Sequence, residues 1–448
     1  MRRKIGWLFL VLLGLAAVVI GIPQIRERVF AQIDDIRIQI RSVLFPVTEQ
    51  AFVPSGEILP TVTLAQDDFI SSSTPLPPTA APTLTLPPLT PEPTQAPTAT
   101  PTVLPASVTL RGVKWETQNG AWNYCGPTNL AMLLSYWGWK GDKFTTGQFL
   151  KPFPYDYNVM PYEMLNYIQD KTNLGGIERM GGTLSLLKLL ISNGFPVLVE
   201  KGVDFPETAT HQLGWMGHFT VVTGFNDQNQ QFITQDSYLQ PDLPVDYTTL
   251  EQEWRAFDFV FVVAFTPDKK DKLTFLLGDY ADETNSYQIA LKRASAEIYT
   301  LTGMDQYFAW FNRGTSLVDL QDFAGASDAY DKAFQIYPSL PEATRPWRML
   351  WYQTGPYFAY FYSGRYQDVV DLATNTLDFI TNRAERLGIS NQPQVGPFIE
   401  ETWYWRAKGR LVIGDRNGAI DDLKTALKYH PGFIPAVDEL NSLGVPVK

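Results

Sequence analysis

The chain has 448 residues, and its composition, 45% hydrophobic and 13% aromatic, supplies enough apolar side chains for several packed cores. This composition excludes a protein that is disordered along most of its length. The 36 basic and 47 acidic residues leave a formal net charge of −11 without an extended basic block, so no nucleic-acid partner is expected.

The first predicted element is a membrane-spanning helix. Residues Ile5–Ile22, which follow the basic sequence MRRK, are 18 uncharged and mostly apolar residues, enough for a helix to cross a bilayer. Because basic flanks stay in the cytoplasm, we expect residues 1–23 to be a cytoplasmic stub and anchor, and the bulk of this single-pass membrane protein to be extracytoplasmic. A cleaved signal peptide is the alternative, although the run ends without a small-x-small cleavage site.

Two segments of linker character follow the anchor. In residues 24–73, apolar residues recur every three or four positions up to Leu44, which predicts a juxtamembrane helix followed by a linker. Residues 74–105 contain 11 Pro and 9 Thr among 32 residues, a composition that cannot pack a core and favours an extended, polyproline-like stalk. We expect this stalk to hold the following domains away from the membrane.

Residues 106–268 have the pattern of a mixed domain. A helix is predicted over Gly126–Trp137, and two further helical patterns lie near Tyr162–Asp170 and Thr183–Ser192. Four short runs typical of β-strands follow the helices: Phe195–Glu200, His218–Phe225, Gln231–Gln235 and Phe259–Phe265. A helix-rich half followed by a strand-rich half predicts an α+β domain.

Residues 269–448 are helical in pattern and contain an internal repeat with a period near 34 residues. Two sets of residues share the same internal spacing: Trp310, Gly314, Ala326, Tyr330, Ala333 and Pro338, and then Trp403, Ala407, Ala419, Leu423, Ala426 and Pro431. A more degenerate copy lies between them, near Gly364. This spacing resembles the tetratricopeptide repeat, which implies an all-α helical repeat domain that binds a protein partner.

Cys125 is the only cysteine in the chain, so it cannot form an internal disulfide. Composition alone favours a small buried side chain, which is a common use of free cysteine. Its position at the start of the first predicted helix favours chemistry instead. Unsatisfied N–H groups and the helix dipole stabilise a thiolate there, which is how a cysteine nucleophile is usually activated.

A thiolate nucleophile needs a proton shuttle, and the chain has three histidines, His211, His218 and His430. His430 is predicted to be a surface residue near a helix end. His211 lies in a polar loop and remains an alternative base. His218 begins the run GHFTVVTGF, a strand that we expect to be half-buried and to hold the imidazole rigidly. His218 is therefore the preferred base.

The imidazole needs a third group to orient it, and the acyl intermediate needs a donor for its oxyanion. Asp236 follows the next predicted strand, across a hairpin from His218, whereas Asp227 belongs to the turn itself and suits turn chemistry. Gln118 lies seven residues before Cys125, so its amide and the Cys125 backbone N–H could together form an oxyanion hole.

The order of these residues resembles that of the papain-like bacteriocin-processing (double-glycine) cysteine peptidases, specifically their stand-alone relatives. The matching positions are Gln118, then the motif WNYCGP at Cys125, the pair GH at His218 and finally Asp236. The resemblance implies a papain-like fold in which Cys125 attacks a peptide carbonyl, His218 shuttles the proton, Asp236 orients the imidazole and Gln118 stabilises the oxyanion. The chain departs from the founding members because it has no transporter segments and no nucleotide-binding motif, so their leader-peptide substrates are not expected here.

The sequence thus predicts a membrane-anchored extracytoplasmic cysteine peptidase that hydrolyses peptide bonds, with helical repeats that bind a protein partner or substrate. The alternative is a catalytically inactive cell-surface adaptor, and acyl transfer to an amine would use the same triad. No cofactor or metal is predicted, because one cysteine and three dispersed histidines lack ligand spacing. The glycine pairs at Gly175 and Gly181 predict turns and not a phosphate-binding loop.

Overall fold

The computed structural model describes residues 51–58, 104–205, 214–341, 344–387, 390, 393 and 395–447. The predicted membrane anchor, the predicted amphipathic stretch before residue 51, most of the Pro/Thr-rich segment and His211 lie outside these residues. Within the described ranges, no helix has both the length and the apolar character needed to cross a membrane.

One antiparallel sheet organises the first half of the described chain. Its strands are β1 Ser107–Thr109, β2 Gly175–Arg179, β3 Val197–Phe205, β4 Gly214–Asn226, β5 Gln231–Gln235, β6 Leu243–Asp246 and β7 Phe261–Phe265. The strand order is β2-β7-β3-β4-β5-β6, and β1 pairs with the last three residues of β4. The long β4 therefore lies near the middle of the sheet, with β3 on one side and β5 on the other.

Helices cover both faces of this sheet. They are α1 Cys125–Tyr136, α2 Lys143–Leu150, α3 Pro161–Lys171, α4 Leu184–Ser192 and α5 Tyr247–Arg255. Side chains of α1, α2 and α3 pack with Phe219 and Val221 of β4 in one core, whereas α4 and α5 pack with Val222 in another. Strand β4 is therefore buried on both faces, and not half-buried as expected, which explains its nearly continuous apolar sequence.

Most of the predicted elements in this region match observed ones, but the first glycine pair does not. Gly175 and Gly176 lie in β2 and not in a turn. A Cβ atom at Gly175 would lie 2.4 Å from the ring of Phe265 on the neighbouring strand, so the missing side chain makes room for a close aromatic contact. Gly181 does occupy a turn, with φ of +71°.

The second half of the described chain is helical. Its helices are α6 Lys270–Leu277, α7 Glu283–Glu297, α8 Gly303–Asp319, α9 Phe323–Ile336, α10 Met349–Tyr352, α11 Gly355–Tyr362, α12 Tyr366–Leu387, α13 Glu400–Val412, α14 Arg416–Tyr429 and α15 Ile434–Ser442. The first five residues of each repeated set fall on the helix pairs α8/α9 and α13/α14, and the prolines follow α9 and α14. In the first pair, a Cβ atom at Gly314 would lie 2.6 Å from the Tyr330 ring, so glycine permits the close packing.

The helical half packs directly on the sheet half. Trp215 of β4 is 3% exposed and lies in a core that also contains Phe257 and, from α8, Phe308. The guanidinium of Arg348 donates to the Trp215 carbonyl at 2.7 Å, and the side-chain amide of Asn312 donates to the Arg255 carbonyl, also at 2.7 Å. The two halves therefore share a continuous apolar core and buried hydrogen bonds.

Residues 51–58 also belong to this folded body. The Phe52 ring meets the Phe334 ring edge-on, with centroids 5.3 Å apart. The backbone N–H groups of Ser55 and Gly56 donate to the two carboxylate oxygens of Asp368, at 2.7 and 3.2 Å. A segment far upstream of the sheet in sequence is therefore bound to the helical half.

Candidate active site

Cys125 is the first residue of α1 and is partly exposed. Tyr124, which precedes the helix, makes no side-chain capping hydrogen bond to it. The first backbone N–H groups of α1 are therefore not neutralised by a capping side chain, and they create a positive potential at the helix start. The Cys125 sulfur lies at this end, where that potential stabilises its negative charge. Pro127 fits the first turn because its missing N–H would have no helical partner.

A buried lysine holds the turn that leads into Cys125. Lys151 is 5% exposed, and its ammonium group donates to the carbonyls of Trp122, at 2.8 Å, and Asn123, at 3.1 Å. Asn123 has a positive φ of 52°, a left-handed conformation that asparagine adopts more readily than most residues other than glycine. The lysine holds this turn from the carbonyl side.

A second buried lysine holds the segment around Gln118. Lys143 is 6% exposed, and its ammonium group donates to the carbonyls of Thr117, at 2.6 Å, and Asn119, at 3.0 Å. The backbone N–H of Gln118 also donates to the Ser237 carbonyl at 2.8 Å. The loop that carries Gln118 is thus fixed on both sides of that residue.

His218 and Asp236 are brought together in the interior. His218 lies on β4 and Asp236 directly follows β5, and they are 2% and 0% exposed. Nε2 of His218 lies 3.1 and 3.0 Å from the two carboxylate oxygens of Asp236. The backbone N–H groups of Tyr238 and Leu239 donate to one of those oxygens, and the Trp115 indole donates to the Asp236 carbonyl at 2.9 Å. The carboxylate is therefore held rigidly against the imidazole.

The thiol of Cys125 is hydrogen-bonded to His218. Burial alone would raise the pKa of the thiol, but the hydrogen bond and charge of His218, together with the backbone N–H of Phe219, outweigh it and lower that pKa. Burial likewise opposes protonation of His218, yet the carboxylate of Asp236 and the bond to Cys125 raise the His218 pKa to about 9. Both shifts favour the ionised pair, a thiolate beside an imidazolium, over the neutral pair.

Asp236 remains ionised in this arrangement. Burial would raise the pKa of its carboxyl, but the charge and hydrogen bond of His218 dominate and hold the pKa far below the usual range. Because Nε2 of His218 faces the carboxylate, Nδ1 is the ring nitrogen that remains for Cys125. The three side chains therefore form a continuous Cys-His-Asp chain of contacts.

Gln118 is oriented by a network that the sequence did not predict. The Ser237 hydroxyl donates to the side-chain oxygen of Gln118 at 2.7 Å, and the Asn129 amide donates to that hydroxyl at 2.9 Å. The Asn129 amide also donates to the Cys125 carbonyl at 2.9 Å. Since the carbonyl end of the Gln118 amide is bound to Ser237, its NH₂ end is the one that remains for an oxyanion.

The alternatives weighed from the sequence take other positions. Asp227 accepts hydrogen bonds from the Lys188 ammonium and the Tyr247 hydroxyl, so it supports the turn and α4 and does not contact His218. His430 lies at the end of α14, as predicted, but its side chain is only partly exposed, at 19%, and its Nδ1 lies 3.0 Å from Glu400.

The described residues contain one group of side chains that could together hold a metal ion, formed by Asp156, Glu400 and His430 within 4.8 Å of one another. Burial lowers the pKa of His430, but its hydrogen bond and charge interaction with Glu400 outweigh burial and raise it. His430 and Glu400 therefore already form an ion pair, which joins α13 to the end of α14.

Residues 110–262 match the family model described as the Peptidase_C39 like family. Among solved structures, the chain is similar to a crystal structure described as a C39-like peptidase from Bacillus anthracis, with 16% sequence identity and a TM-score of 0.30 over 36% of this chain and 98% of that chain. A search of curated proteins finds no match. The matched residues include Gln118, Cys125, His218 and Asp236, so the part of the chain that resembles the Peptidase_C39 like family contains all four candidate site residues.

Proposed function

We propose that the protein is a cysteine peptidase that hydrolyses peptide bonds through Cys125, His218 and Asp236. The observation that carries this proposal is the chain of contacts from the Cys125 thiol through the His218 ring to the buried Asp236 carboxylate. The C39-like peptidase match supports the same reaction class and implies a peptide or protein substrate. Gln118 supplies the oxyanion donor together with the backbone N–H of Cys125.

In the proposed reaction, the Cys125 thiolate attacks the carbonyl carbon of the scissile bond, and the carbonyl oxygen becomes an oxyanion beside the Gln118 amide. The tetrahedral intermediate collapses, the C–N bond breaks, and the His218 imidazolium gives its proton to the leaving amine. Water then attacks the thioester while neutral His218 accepts its proton, releasing the carboxylic acid and regenerating the thiolate. Asp236 keeps the imidazole oriented and stabilises its charged form.

The helical half is proposed to bind the substrate protein or a partner through tetratricopeptide-like repeats. This proposal rests on the 34-residue spacing and on the helix pairs α8/α9 and α13/α14 that carry it. We also propose that the apolar run Ile5–Ile22 anchors the chain in a membrane with the peptidase domain outside the cytoplasm. The first of these proposals concerns the substrate or partner of the peptidase, and the second concerns its location.

The reactivity of Cys125 tests the peptidase proposal. Iodoacetamide should label Cys125 rapidly at pH 7, because the thiolate is stabilised there, and His218→Ala should slow the labelling at least about tenfold by removing the imidazolium. His430→Ala is the matched control, since it removes a partly buried histidine elsewhere, and its labelling rate should equal that of the wild type. Mass spectrometry of the single labelled cysteine gives the rates.

Slow labelling of the wild type, equal to that of an ordinary buried thiol, would instead favour the inactive adaptor. Turnover is then checked by comparing peptides released from surface-protein extracts by the wild type and by Cys125→Ala. New carboxyl termini indicate hydrolysis, whereas new amide bonds to an added amine indicate acyl transfer. The absence of both products would contradict the proposed enzyme.

A further inference from the structure

A cavity of about 250 Å³ lies between the sheet half and the helical half, and its wall does not include Cys125 or His218. Two of its wall residues connect it to the catalytic pair. Glu200 lies opposite Phe219 in the β3–β4 ladder, and the Phe219 backbone N–H donates to the Cys125 sulfur. Tyr352 is hydrogen-bonded to the backbone of Gly217, the residue before the catalytic histidine. A group held in this cavity would therefore lie near the scissile bond.

The wall of the cavity is acidic. Both halves of the molecule contribute carboxyl groups to it, namely Glu178, Glu200, Asp258, Asp319 and Glu401. No Lys, Arg or His belongs to the described residues that line it. The rest of the wall is largely apolar or aromatic and includes Met180, Val260 and Phe358. Such a wall suits a ligand with an apolar stem and a positively charged end.

Glu200 is the residue that points most directly to a ligand. It is 4% exposed, lines the cavity, and has no hydrogen bond or ion pair with any described residue. Its neighbour Lys201 is not its counter-ion, because the Lys201 ammonium binds Glu253 at 2.8 Å. Burial, and then the negative charges of Cys125 and Glu178, raise the Glu200 pKa. A buried carboxylate without a counter-charge is costly, and a bound cation would remove that cost.

The other carboxyl groups of the wall are only partly satisfied. Asp258 accepts a hydrogen bond from the Ser316 hydroxyl at 2.8 Å, and Glu401 accepts one from the Tyr162 hydroxyl at 3.3 Å. One carboxylate oxygen of Asp319 is buried without a partner among the described residues. Burial raises the pKa of the Asp319 carboxyl to about 7. The wall thus has acceptor capacity that the described residues do not use.

We propose that this cavity binds the cationic side chain of a lysine or arginine next to the scissile bond and so selects the peptides that Cys125 cleaves. This inference rests on the peptidase function proposed above and names its substrate class. A metal ion fits less well, because the described residues contain one three-ligand group within 4.8 Å, and that group lies outside the cavity wall.

The test is a binding measurement on the full chain carrying Cys125→Ala, so that it does not depend on turnover. The probes are Nα-acetyl-lysine amide and Nα-acetyl-arginine amide, with Nα,Nε-diacetyl-lysine amide and Nα-acetyl-citrulline amide as neutral counterparts. We expect the charged probes to bind at least tenfold more tightly in calorimetric or NMR titrations. Glycine amide tests whether a free α-amine binds in place of a side-chain cation, and Ca²⁺ alone tests whether the cavity binds a metal ion. Neither should bind saturably.

Two further variants, each made in the Cys125→Ala chain, locate the binding. Glu200→Gln should reduce the preference for charged over neutral probes to less than threefold, whereas Asp170→Asn, which removes an exposed carboxylate outside the cavity, should leave it unchanged. Equal binding of charged and neutral probes, no saturable binding of any probe, or the same loss in both variants would overturn the inference. Because Cys125 is replaced throughout, failed cleavage by the wild type would contradict the peptidase proposal without producing any of these results.

Discussion

The side-chain amide of Gln118 has two chemically different ends, and only the NH₂ end can stabilise an oxyanion. Ser237 determines which end is available, because its hydroxyl accepts from Asn129 and therefore has its own proton to give to the Gln118 oxygen. The same Asn129 amide binds the Cys125 carbonyl, so the proposed nucleophile and the proposed oxyanion donor share one support. Ser237 is thus a positioning residue in the proposed site.

We predict that Ser237→Ala lowers kcat for peptide hydrolysis about tenfold to a hundredfold with little change in KM. The loss in kcat should be no larger than the loss caused by removing an oxyanion donor, because the Gln118 amide remains but is no longer held in one orientation. Alkylation of Cys125 by iodoacetamide forms no oxyanion, so its rate should stay at the wild-type value.

Ser192→Ala is the matched control for this prediction. The Ser192 hydroxyl is buried and has no hydrogen-bond partner among the described residues, so its removal should leave kcat unchanged. If Ser237→Ala slowed alkylation and hydrolysis equally, the variant would be perturbing the thiolate or the fold, and the assigned role would be wrong.

The residues proposed to react could be named from the sequence, whereas their supports could not. Thiol chemistry requires a cysteine and a base, and a chain with one cysteine and three histidines leaves few candidates. Ser237, Lys143 and Lys151 belong to types with many possible roles, and nothing in their local sequence marks these contacts. The Ser237 hydroxyl meets Gln118 across 119 positions of the chain, a separation that only the folded sheet brings together.

At the scale of elements, the loop before α1 depends on side chains from α2 and from the residue after it. Lys143 belongs to α2 and Lys151 directly follows that helix. The position of α2 therefore sets the position of the loop relative to α1, which begins at Cys125. The sequence pattern did not predict α2, because its short sequence KFTTGQFL has no clear helical periodicity. Its start is nevertheless well capped by the Asp142 side chain, which accepts from the Thr145 N–H.

We predict that Lys151→Met lowers the free energy of unfolding by about 2 kcal/mol, because two loop carbonyls lose their buried donor. It should also slow iodoacetamide labelling, since the Lys151 charge helps to lower the Cys125 pKa. Urea unfolding at pH 7 measures the first effect and mass spectrometry the second.

Lys140→Met serves as the control, because Lys140 is exposed and makes no hydrogen bond or ion pair with the residues that the structure describes. Its unfolding midpoint and labelling rate should match the wild type. Equal stability of both variants would contradict the proposed role of Lys151 in holding the turn.

The elements that the sequence predicted best are those whose pattern comes from burial. Strand β5 has the predicted bounds Gln231–Gln235, and α4 covers Leu184–Ser192 against a predicted helix of Thr183–Ser192, with Thr183 as its capping residue. Strand β2 was missed because glycine is usually a turn signal, and the reason for Gly175 is the ring of Phe265 on a strand 90 residues away. Local patterns carry no information about such a partner.

At the scale of the whole molecule, many buried ionisable groups favour the folded state at mildly acidic pH. Burial raises the pKa of Glu163 to about 8 and of Glu178 and Asp319 to about 7. A carboxyl whose folded pKa exceeds its unfolded value near 4 costs stability as pH rises through that interval. His218 adds little to this dependence: its raised pKa makes its contribution decline as pH rises from about 6.5 to about 9, but the lowered pKa of its partner Cys125 acts in the opposite direction.

We therefore predict that Tm falls by about 5 °C or more between pH 5 and pH 9, as measured by differential scanning fluorimetry. The lowered pKa of Asp236 makes stability rise with pH, but this effect is complete above about pH 4 and does not change between pH 5 and pH 9. Glu178→Gln should reduce the fall, whereas Asp170→Asn should not. A Tm that stays level or rises toward pH 9 would contradict the assignment.

The shared core also predicts that the peptidase domain depends on the helical half. A fragment of residues 104–268 would lose the partners of Trp215, including Phe308 and the Arg348 guanidinium. We expect this fragment to unfold without a cooperative transition or to aggregate, whereas residues 104–447 should unfold cooperatively. Trp215→Phe in the longer protein, which keeps most of the apolar contact, should cause only a modest loss of Tm. A soluble fragment with a sharp transition would show that the halves fold independently.

The docking of residues 51–58 changes what the Pro/Thr-rich stretch can do. Its upstream flank is bound to Asp368 in the helical half, and its downstream flank leads into β1 of the sheet, so both flanks belong to one body. Residues 59–103 therefore close a covalent loop on that body. Tension applied upstream of residue 51 would pass into α12 and bypass the loop. Lengthening or shortening residues 59–103 should therefore leave the distance between Cys125 and an attachment point upstream of residue 51 unchanged.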